Sequence, residues 1–195
     1  EGKLFIDKGY DLANKKTNAI NNSNTIFDIG SNTKQFTSAA ILKLVELGKL
    51  KLNDPLSKFF KSLPIEKQNI TIHQLLTHTA GFSESIGRDF DEISQEEFFK
   101  KLFSSKLLSE PGEKYSYSNT GYSILGRVIE LASGQPYEAF LNEHLFIPAG
   151  MKQTGYLLPK WDAKKMSRGY NRNVLETEPV IARYQEEGSV NWHLK

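Results

Sequence analysis

The sequence predicts an α+β fold in which short β-strands precede a block of helices. Two β-prone runs occur before residue 30, and turn-forming residues separate them. A long amphipathic helix follows Gly30 directly, and helix-start signals recur between residues 71 and 136. Strands followed by helices suggest a sheet-containing unit that carries a helical insertion.

The strands come first in the chain. We expect one strand over residues 3–7 and 8–12, a turn at residues 14–16, and a second strand over residues 25–29. The predicted organisation is therefore a sheet-containing domain with the first long helix at residues 1–54, a helical insertion at residues 55–160, and an irregular return segment at residues 161–195.

The first long helix begins near Ser31 and is expected to stop at Gly48. Ser31 lies at or just inside the helix N-terminus, where free backbone N–H groups and the helix dipole favour negative charge. Lys34 lies on the same side of the helix, within reach of the serine oxygen. Serine is also a favoured N-cap, so this pair alone indicates a capped helix more strongly than an active site. The apolar stripe of the helix is predicted to consist of Phe36, Ala39, Ala40, Leu42, Leu44, Val45 and Leu47.

The later helices are predicted from their caps. Thr71 precedes Gln74 and Ser94 precedes Glu97 with the spacing of a capping box. A further helix is expected over about residues 120–132, ending at Gly134, with Pro136 starting the next.

The composition excludes several classes of function. The 195 residues carry a net charge of +2 without basic blocks, so we expect no nucleic-acid partner. No apolar run reaches membrane-spanning length, and the chain has no cysteine for a disulfide, a zinc–thiolate site or a cysteine nucleophile. We expect no metal site, because His73, His144 and His193 are scattered without metal-ligand spacing. We also expect no cofactor.

Four stretches of the chain stand out. They are, in order, Gly30-Ser31-Asn32-Thr33-Lys34; Leu75-Leu76-Thr77-His78-Thr79-Ala80-Gly81-Phe82; Pro111-Gly112-Glu113-Lys114-Tyr115-Ser116-Tyr117-Ser118-Asn119-Thr120-Gly121-Tyr122, leading into Ile124-Leu125-Gly126; and Phe146-Ile147-Pro148-Ala149-Gly150-Met151. Taken together and in this order, they closely resemble the serine hydrolases related to class C β-lactamases and D-alanyl-D-alanine carboxypeptidases. That family includes β-lactamases, penicillin-binding peptidases, esterases and amidases, and the resemblance runs from about residue 4 to residue 156.

The resemblance implies a fold and a set of residue roles. The fold would be an α/β sandwich of β-lactamase type, an antiparallel sheet flanked by helices. Ser31 would be the nucleophile that forms an acyl-enzyme, Lys34 its cationic partner and Tyr117 a proton relay. Asn119 would orient the substrate, which would be a small molecule or a peptide. The resemblance also implies an extracytoplasmic location, periplasmic or secreted, and leaves the oligomeric state open.

The chemistry of these residue types supports such a centre. Ionising a tyrosine at pH 7 costs about 4 kcal/mol, because its ordinary pKa is near 10. A cation about 4 Å away at an effective dielectric of about 20 supplies an energy of that order. Lys34 could therefore activate Tyr117 as a base, or act as the base itself, and the sequence does not choose between them.

Simpler interpretations remain for the same residues. Tyr117 could be a packed aromatic, and Tyr115 is a rival without an asparagine two positions on. Asn119 by itself is most simply the N-cap of the following helix. His78 could act as a general base, but it follows a short helix, where a histidine often caps carbonyls, and the loop around it resembles a structural signature of the family.

One expected feature of the family is missing from this sequence. The family uses a Lys- or His-x-Gly segment on a late strand to complete the oxyanion hole, and Trp192-His193-Leu194-Lys195 does not fit it. We therefore expect the fold to be incomplete at both ends. The leading interpretation is a serine acyl hydrolase acting on an ester, amide or β-lactam. The alternative is a non-catalytic penicillin-binding-like module that recognises peptide or cell-wall ligands.

Overall fold

The structure is a computed structural model that describes residue 3 and residues 5–87, 93–155, 162–170 and 176–177. These residues fall into two compact units. One comprises the described parts of residues 1–29 and 152–189, and the other comprises residues 30–151. The mixture of short strands and helices confirms the α+β class. The predicted domain boundaries at residues 54 and 160 stay predictions.

The first unit holds the strands. β1 (Leu12–Asn14) pairs with β2 (Ala19–Ile20), and β3 (Gly169–Tyr170) pairs with β4 (Glu176–Thr177). Both pairs are antiparallel.

Three expectations about this unit are corrected. The strand predicted over residues 3–12 forms only at its end, because nothing in the described ranges pairs with residues 5–10. The strand predicted at residues 25–29 is reduced to one parallel bridge between Ile26 and Met166. The segment predicted to be irregular contains β3, β4 and a 3-10 turn, Ala163–Lys165, whereas residues 161, 171–175 and 178–195 lie outside the described part of the chain.

The second unit is helical. A 3-10 turn over Gly30–Asn32 leads into the first long helix. The α-helices are α1 (Thr33–Glu46), α2 (Ile65–Gln68), α3 (Ile72–Leu76), α4 (Gln95–Ser104), α5 (Asn119–Ser133) and α6 (Tyr137–Leu141). One turn of π-helix, Asn142–Phe146, continues α6. None of the helices in the described ranges combines the length and apolarity needed to cross a bilayer.

α5 is the central helix of this unit, and α1, α3 and α6 pack on it. Its apolar side chains from Ile124 to Ile129 are fully buried. α1 buries Thr37, Ala40, Ile41 and Leu44, which recur at helical spacing. The predicted stripe of α1 is therefore partly wrong. Leu42 is 53% exposed because it lies on the opposite face, and Leu47, 44% exposed, follows the last residue of α1 as its C-cap, whereas the omitted Ile41 is fully buried.

The predicted helix ends agree closely with the structure. Gly48 follows α1 with a φ of 68°, and Gly134 ends α5 with a φ of 77°. Thr71 and Gln74 form the complete capping box at the start of α3. The Ser94 side chain accepts a hydrogen bond from the Glu97 N–H at the start of α4. One cap is corrected: Ser118, and not Asn119, is the N-cap of α5.

Candidate active site

Ser31 lies in the 3-10 turn that leads directly into α1. Gly30 has a φ of 49° in that turn, a left-handed conformation that suits glycine and directs the chain into the helix. Ser31 itself is exposed. The hydroxyl of the candidate nucleophile is therefore accessible at the beginning of α1.

Lys34 lies one helical turn after Ser31 and is half-buried. Its Nζ donates hydrogen bonds to Oδ1 of Asn119 at 2.6 Å and to Oγ of Ser31 at 3.3 Å. The same ammonium lies over the rings of Tyr117 and Tyr122, 4.9 and 5.5 Å from their centroids. Within the described ranges, no carboxylate forms an ion pair with this ammonium. The positive charge of Lys34 is thus directed at the candidate site.

Tyr117 lies in the loop that precedes α5, and its hydroxyl donates a 2.8 Å hydrogen bond to Oγ of Ser31. Burial acts to raise the pKa of Tyr117, and so does the charge of Glu84. Hydrogen bonding with Lys34 and Ser31 and the positive charge of Lys34 together outweigh these effects. The pKa of the Tyr117 phenol is therefore below its ordinary value of 10.0.

The loop that carries Tyr117 is fixed by the main chain of residues 83 and 84. The Ser118 hydroxyl accepts a hydrogen bond from the N–H of Gly121 at 3.0 Å and donates one to the carbonyl of Ser83 at 2.7 Å. The carbonyl of Glu84 accepts hydrogen bonds from the N–H groups of Asn119 and Thr120, at 2.9 and 3.2 Å. These bonds satisfy N–H groups that a helix start leaves without partners.

His78 approaches the same loop from the end of α3. Its Nδ1 accepts a 3.1 Å hydrogen bond from the N–H of Ser118, and its carbonyl accepts a 2.8 Å hydrogen bond from the N–H of Ser116. Burial lowers the pKa of His78, and the positive charge of Lys34 lowers it further. The side chain is therefore a neutral imidazole at pH 7, with the proton on Nε2 because Nδ1 is an acceptor.

All four predicted site residues, Ser31, Lys34, Tyr117 and Asn119, meet at one place, although their catalytic roles stay predictions. The rival Tyr115 is 67% exposed, and its ring forms a T-shaped pair with that of His78, with the centroids 5.7 Å apart. Sequence reasoning missed Tyr122, whose ring lies under Lys34. It also treated His78 as a helix-end cap. The two residues lie within the stretches that carried the family resemblance, which was the available signal.

Comparison with known proteins agrees with this geometry. The family model described as Beta-lactamase matches residues 1–192, and the chain belongs to this family. The protein PbpX of Bacillus subtilis is 36% identical over 155 residues, which are 80% of this chain and 39% of PbpX. The chain thus spans about two-fifths of the length of this curated relative.

Two solved structures are similar to the chain. A penicillin binding protein from Bacillus halodurans superposes with a TM-score of 0.71 and 28% identity, covering 85% of this chain and 55% of that protein. A β-lactamase/D-alanine carboxypeptidase from Yersinia pestis gives a TM-score of 0.69 and 28% identity, covering 77% of this chain and 46% of that protein. The β-lactamase type of fold and membership of a hydrolase family are thereby confirmed.

Proposed function

We propose that this chain carries the nucleophile, the base and the cation of a serine acyl hydrolase. Ser31 is the nucleophile, and its substrate is an ester, an amide or a β-lactam. The observation that carries the proposal is the pair of hydrogen bonds on one serine oxygen, from Tyr117 at 2.8 Å and from Lys34 at 3.3 Å. A nucleophilic serine needs an adjacent group that takes its proton, and this pair provides one.

The lowered pKa of Tyr117 supports the phenolate as the base. In the reactive form the Ser31 hydroxyl donates its hydrogen bond to the Tyr117 oxygen, the reverse of the neutral arrangement. As Oγ bonds to the substrate carbonyl carbon, its proton passes to Tyr117, and the carbonyl oxygen becomes an oxyanion. When the carbon–leaving-group bond breaks, Tyr117 returns the proton to the leaving group and leaves an acyl ester on Ser31.

Lys34 and Asn119 complete the centre. The Lys34 ammonium stabilises the Tyr117 phenolate by its charge, and its bond to Oδ1 fixes the orientation of the Asn119 amide. With Oδ1 engaged in this way, the Nδ2 group of Asn119 is the one that can donate to an oxygen of the substrate. A water molecule activated by the same base then hydrolyses the acyl ester and regenerates Ser31.

The family and its neighbours support this class of substrate. The related structure from Yersinia pestis is that of a β-lactamase/D-alanine carboxypeptidase. The penicillin binding protein from Bacillus halodurans points to the same acyl chemistry. We include an extracytoplasmic location in the proposal on the similarity to penicillin-binding proteins.

Labelling of the full-length protein with a fluorophosphonate and with a fluorescent penicillin tests the proposal. Ser31→Ala should lose the label completely, and peptide mapping of the wild type should find the adduct on Ser31. Ser57→Ala is the matched control, because Ser57 is exposed and also lies in a 3-10 turn, Leu56–Lys58. A label that persists in Ser31→Ala, on Ser83 or Ser118, would contradict the assignment of Ser31 as the nucleophile. Binding of penicillin without a covalent adduct would favour a non-catalytic recognition module.

A further inference from the structure

His78 occupies a backbone position that usually belongs to glycine. α3 ends in a Schellman motif, in which the N–H of Thr79 donates to the carbonyl of Gln74 and the N–H of His78 donates to the carbonyl of Leu75. His78 is the left-handed residue of this motif, with a φ of 57°. A side chain is unfavourable at such a φ, so its presence points to a use for the side chain.

The contacts of His78 converge on the two neighbours of Tyr117. Its carbonyl receives the N–H of Ser116, and its Nδ1 receives the N–H of Ser118, 40 residues away in the chain. The residue therefore holds the main chain immediately before and immediately after the phenol. Glycine at the same position would keep the first bond and lose the second.

The imidazole also packs against the rings around it. It lies 4.7 Å from the ring of Tyr117 and 5.0 Å from that of Tyr122, each at an interplanar angle of 34°. The ring of Tyr115 forms a T-shaped pair with the imidazole, and the two ring centroids are 5.7 Å apart. In the described part of the chain, the titratable groups that face His78 are Tyr115 and Tyr117 from the loop, Tyr122 from α5 and the charged Lys34 from α1.

We propose that His78 is a positioning residue for Tyr117, and that it acts only as a neutral imidazole whose Nδ1 accepts the Ser118 N–H. This inference rests on the proposed function, in which Tyr117 is the base for Ser31. His78 touches neither Ser31 nor a substrate in this arrangement. It holds the phenol between the Lys34 ammonium and the serine oxygen, where a displacement of about 1 Å would cost about 100-fold in rate.

The arrangement makes the site sensitive to acid. Protonation places an N–H on Nδ1, opposite the N–H of Ser118, so the hydrogen bond is replaced by repulsion. It also adds a second positive charge near Lys34. Because the pKa of His78 lies below 6.5, the neutral form prevails at pH 7. The proposed base Tyr117 already makes the acylation rate fall with decreasing pH, and protonation of His78 should make this fall steeper below pH 6.5.

Two variants of the full-length protein separate positioning from a general structural role. His78→Asn places an amide oxygen near the position of Nδ1, tolerates a positive φ and does not titrate. His78→Ala removes the acceptor. We expect His78→Asn to acylate with a fluorescent penicillin within about 3-fold of wild type and to lose the extra steepness below pH 6.5 while keeping the fall due to Tyr117, whereas His78→Ala is slower by about 10-fold or more.

A double-mutant cycle shows whether His78 acts through Tyr117. In a Tyr117→Phe background, His78→Ala should cost less than about 2-fold, because the phenol that it positions is already absent. An equal loss in both backgrounds would overturn the proposal, as would a fall in rate below pH 6.5 that is as steep in His78→Asn as in the wild type.

A measurement without substrate keeps this inference separate from the proposed function. Nitrogen NMR of labelled histidine should show His78 with a bare Nδ1 and a proton on Nε2 at pH 7. Carbon NMR of labelled tyrosine should show the pKa of Tyr117 rising toward its ordinary value in His78→Ala but not in His78→Asn. Both signatures together with no adduct on Ser31 would reject the proposed function and retain the His78–Tyr117 contact. A proton on Nδ1 would reject the inference even if Ser31 acylates or His78→Ala fails to fold.

Discussion

The hydroxyl of Tyr117 lies 2.8 Å from Oγ of Ser31, although 86 residues separate them in the chain. The serine comes from the start of α1 and the phenol from the loop before α5, and these two helices pack together. Farther along, the hydroxyl of Tyr122 on α5 lies 3.1 Å from Oγ of Ser38 on α1 and donates to the carbonyl of Leu76. This hydrogen bond between α1 and α5 thus helps to hold Ser31 and Tyr117 together.

Tyr117→Phe should lower the acylation rate by a factor of about 10² or more, because it removes the proposed base and keeps the ring. Single-turnover acylation and deacylation with a fluorescent penicillin measure the effect. Tyr115→Phe is the matched control, since Tyr115 is exposed and has no bond to Ser31, and it should react like wild type. A dead Tyr115→Phe variant would show that the roles of the two tyrosines have been exchanged.

Lys34→Ala should abolish acylation while the protein stays folded. The side chain is half-buried, and its described hydrogen bonds go to site residues, so its loss affects the site more than the core. Circular dichroism and labelling with a fluorophosphonate measure the two properties. Lys43→Ala is the control, because Lys43 lies on the same helix and pairs with Glu46 at the surface. Near-normal labelling of Lys34→Ala would contradict the proposed centre.

Lys34→Arg distinguishes the two possible bases. Arginine keeps the positive charge and cannot give up its proton at accessible pH. If Tyr117 is the base, this variant should retain measurable acylation, and its rate should rise with pH through the lowered pKa of Tyr117. The rate profile of a labelling reaction between about pH 6 and pH 10 tests this expectation. An inactive but folded Lys34→Arg variant would instead identify neutral Lys34 as the base.

Tyr137→Phe should make the protein more resistant to alkali. Burial raises the pKa of Tyr137 to about 12, and its hydroxyl lies 2.7 Å from Oγ1 of Thr37. Above about pH 10 the unfolded chain loses this proton before the folded one, so the folded state binds more protons and stability falls as pH rises. The free energy of unfolding lost in this way reaches about 2–3 kcal/mol once the pH exceeds the pKa of Tyr137 in the folded protein. Urea unfolding at about pH 9 and pH 11 should show a smaller decrease for Tyr137→Phe, whereas the exposed Tyr115→Phe should behave as wild type.

Gly81→Ala should be more destabilising than Gly48→Ala. Both glycines have a positive φ, 82° and 68°, so both variants incur about 1 kcal/mol of backbone strain. A Cβ on Gly81 would also lie 2.3 Å from the carbonyl oxygen of Ser109, whereas one on Gly48 meets nothing within 4 Å. Urea unfolding should therefore show that the free energy of unfolding decreases by about 2 kcal/mol or more in Gly81→Ala and by less in Gly48→Ala. Equal losses would mean that the Ser109 loop yields without cost.

Local features of this fold could be predicted from the sequence because they depend on neighbouring residues. The capping box at Thr71 depends on side chains within one turn of the helix. The helix ends at Gly48 and Gly134 depend on the left-handed backbone that each glycine adopts. The strand predicted at residues 25–29 failed for the opposite reason. β-propensity needs a partner strand, and a single bridge from Ile26 is what the described residues provide.

The candidate site divides in the same way. The three-residue spacing of Ser31 and Lys34 predicted their proximity from helix geometry alone. The approach of Tyr117 depends on the packing of α1 on α5, so it came only from the resemblance to a family. The role of His78 was not predictable, because it depends on a left-handed backbone and on a hydrogen bond across 40 residues.

The start of α5 is held by carbonyl oxygens of Ser83 and Glu84 rather than by their side chains. Because every residue has a main-chain carbonyl, other residues at positions 83 and 84 can accept the same hydrogen bonds and preserve the placement of Tyr117 and Asn119. The charge of the Glu84 carboxylate nonetheless acts to raise the pKa of Tyr117, against the effects of Lys34 and Ser31 that lower it overall. Replacing this carboxylate should therefore lower the pKa of the proposed base further while the hydrogen bonds from the main chain of residues 83 and 84 stay intact.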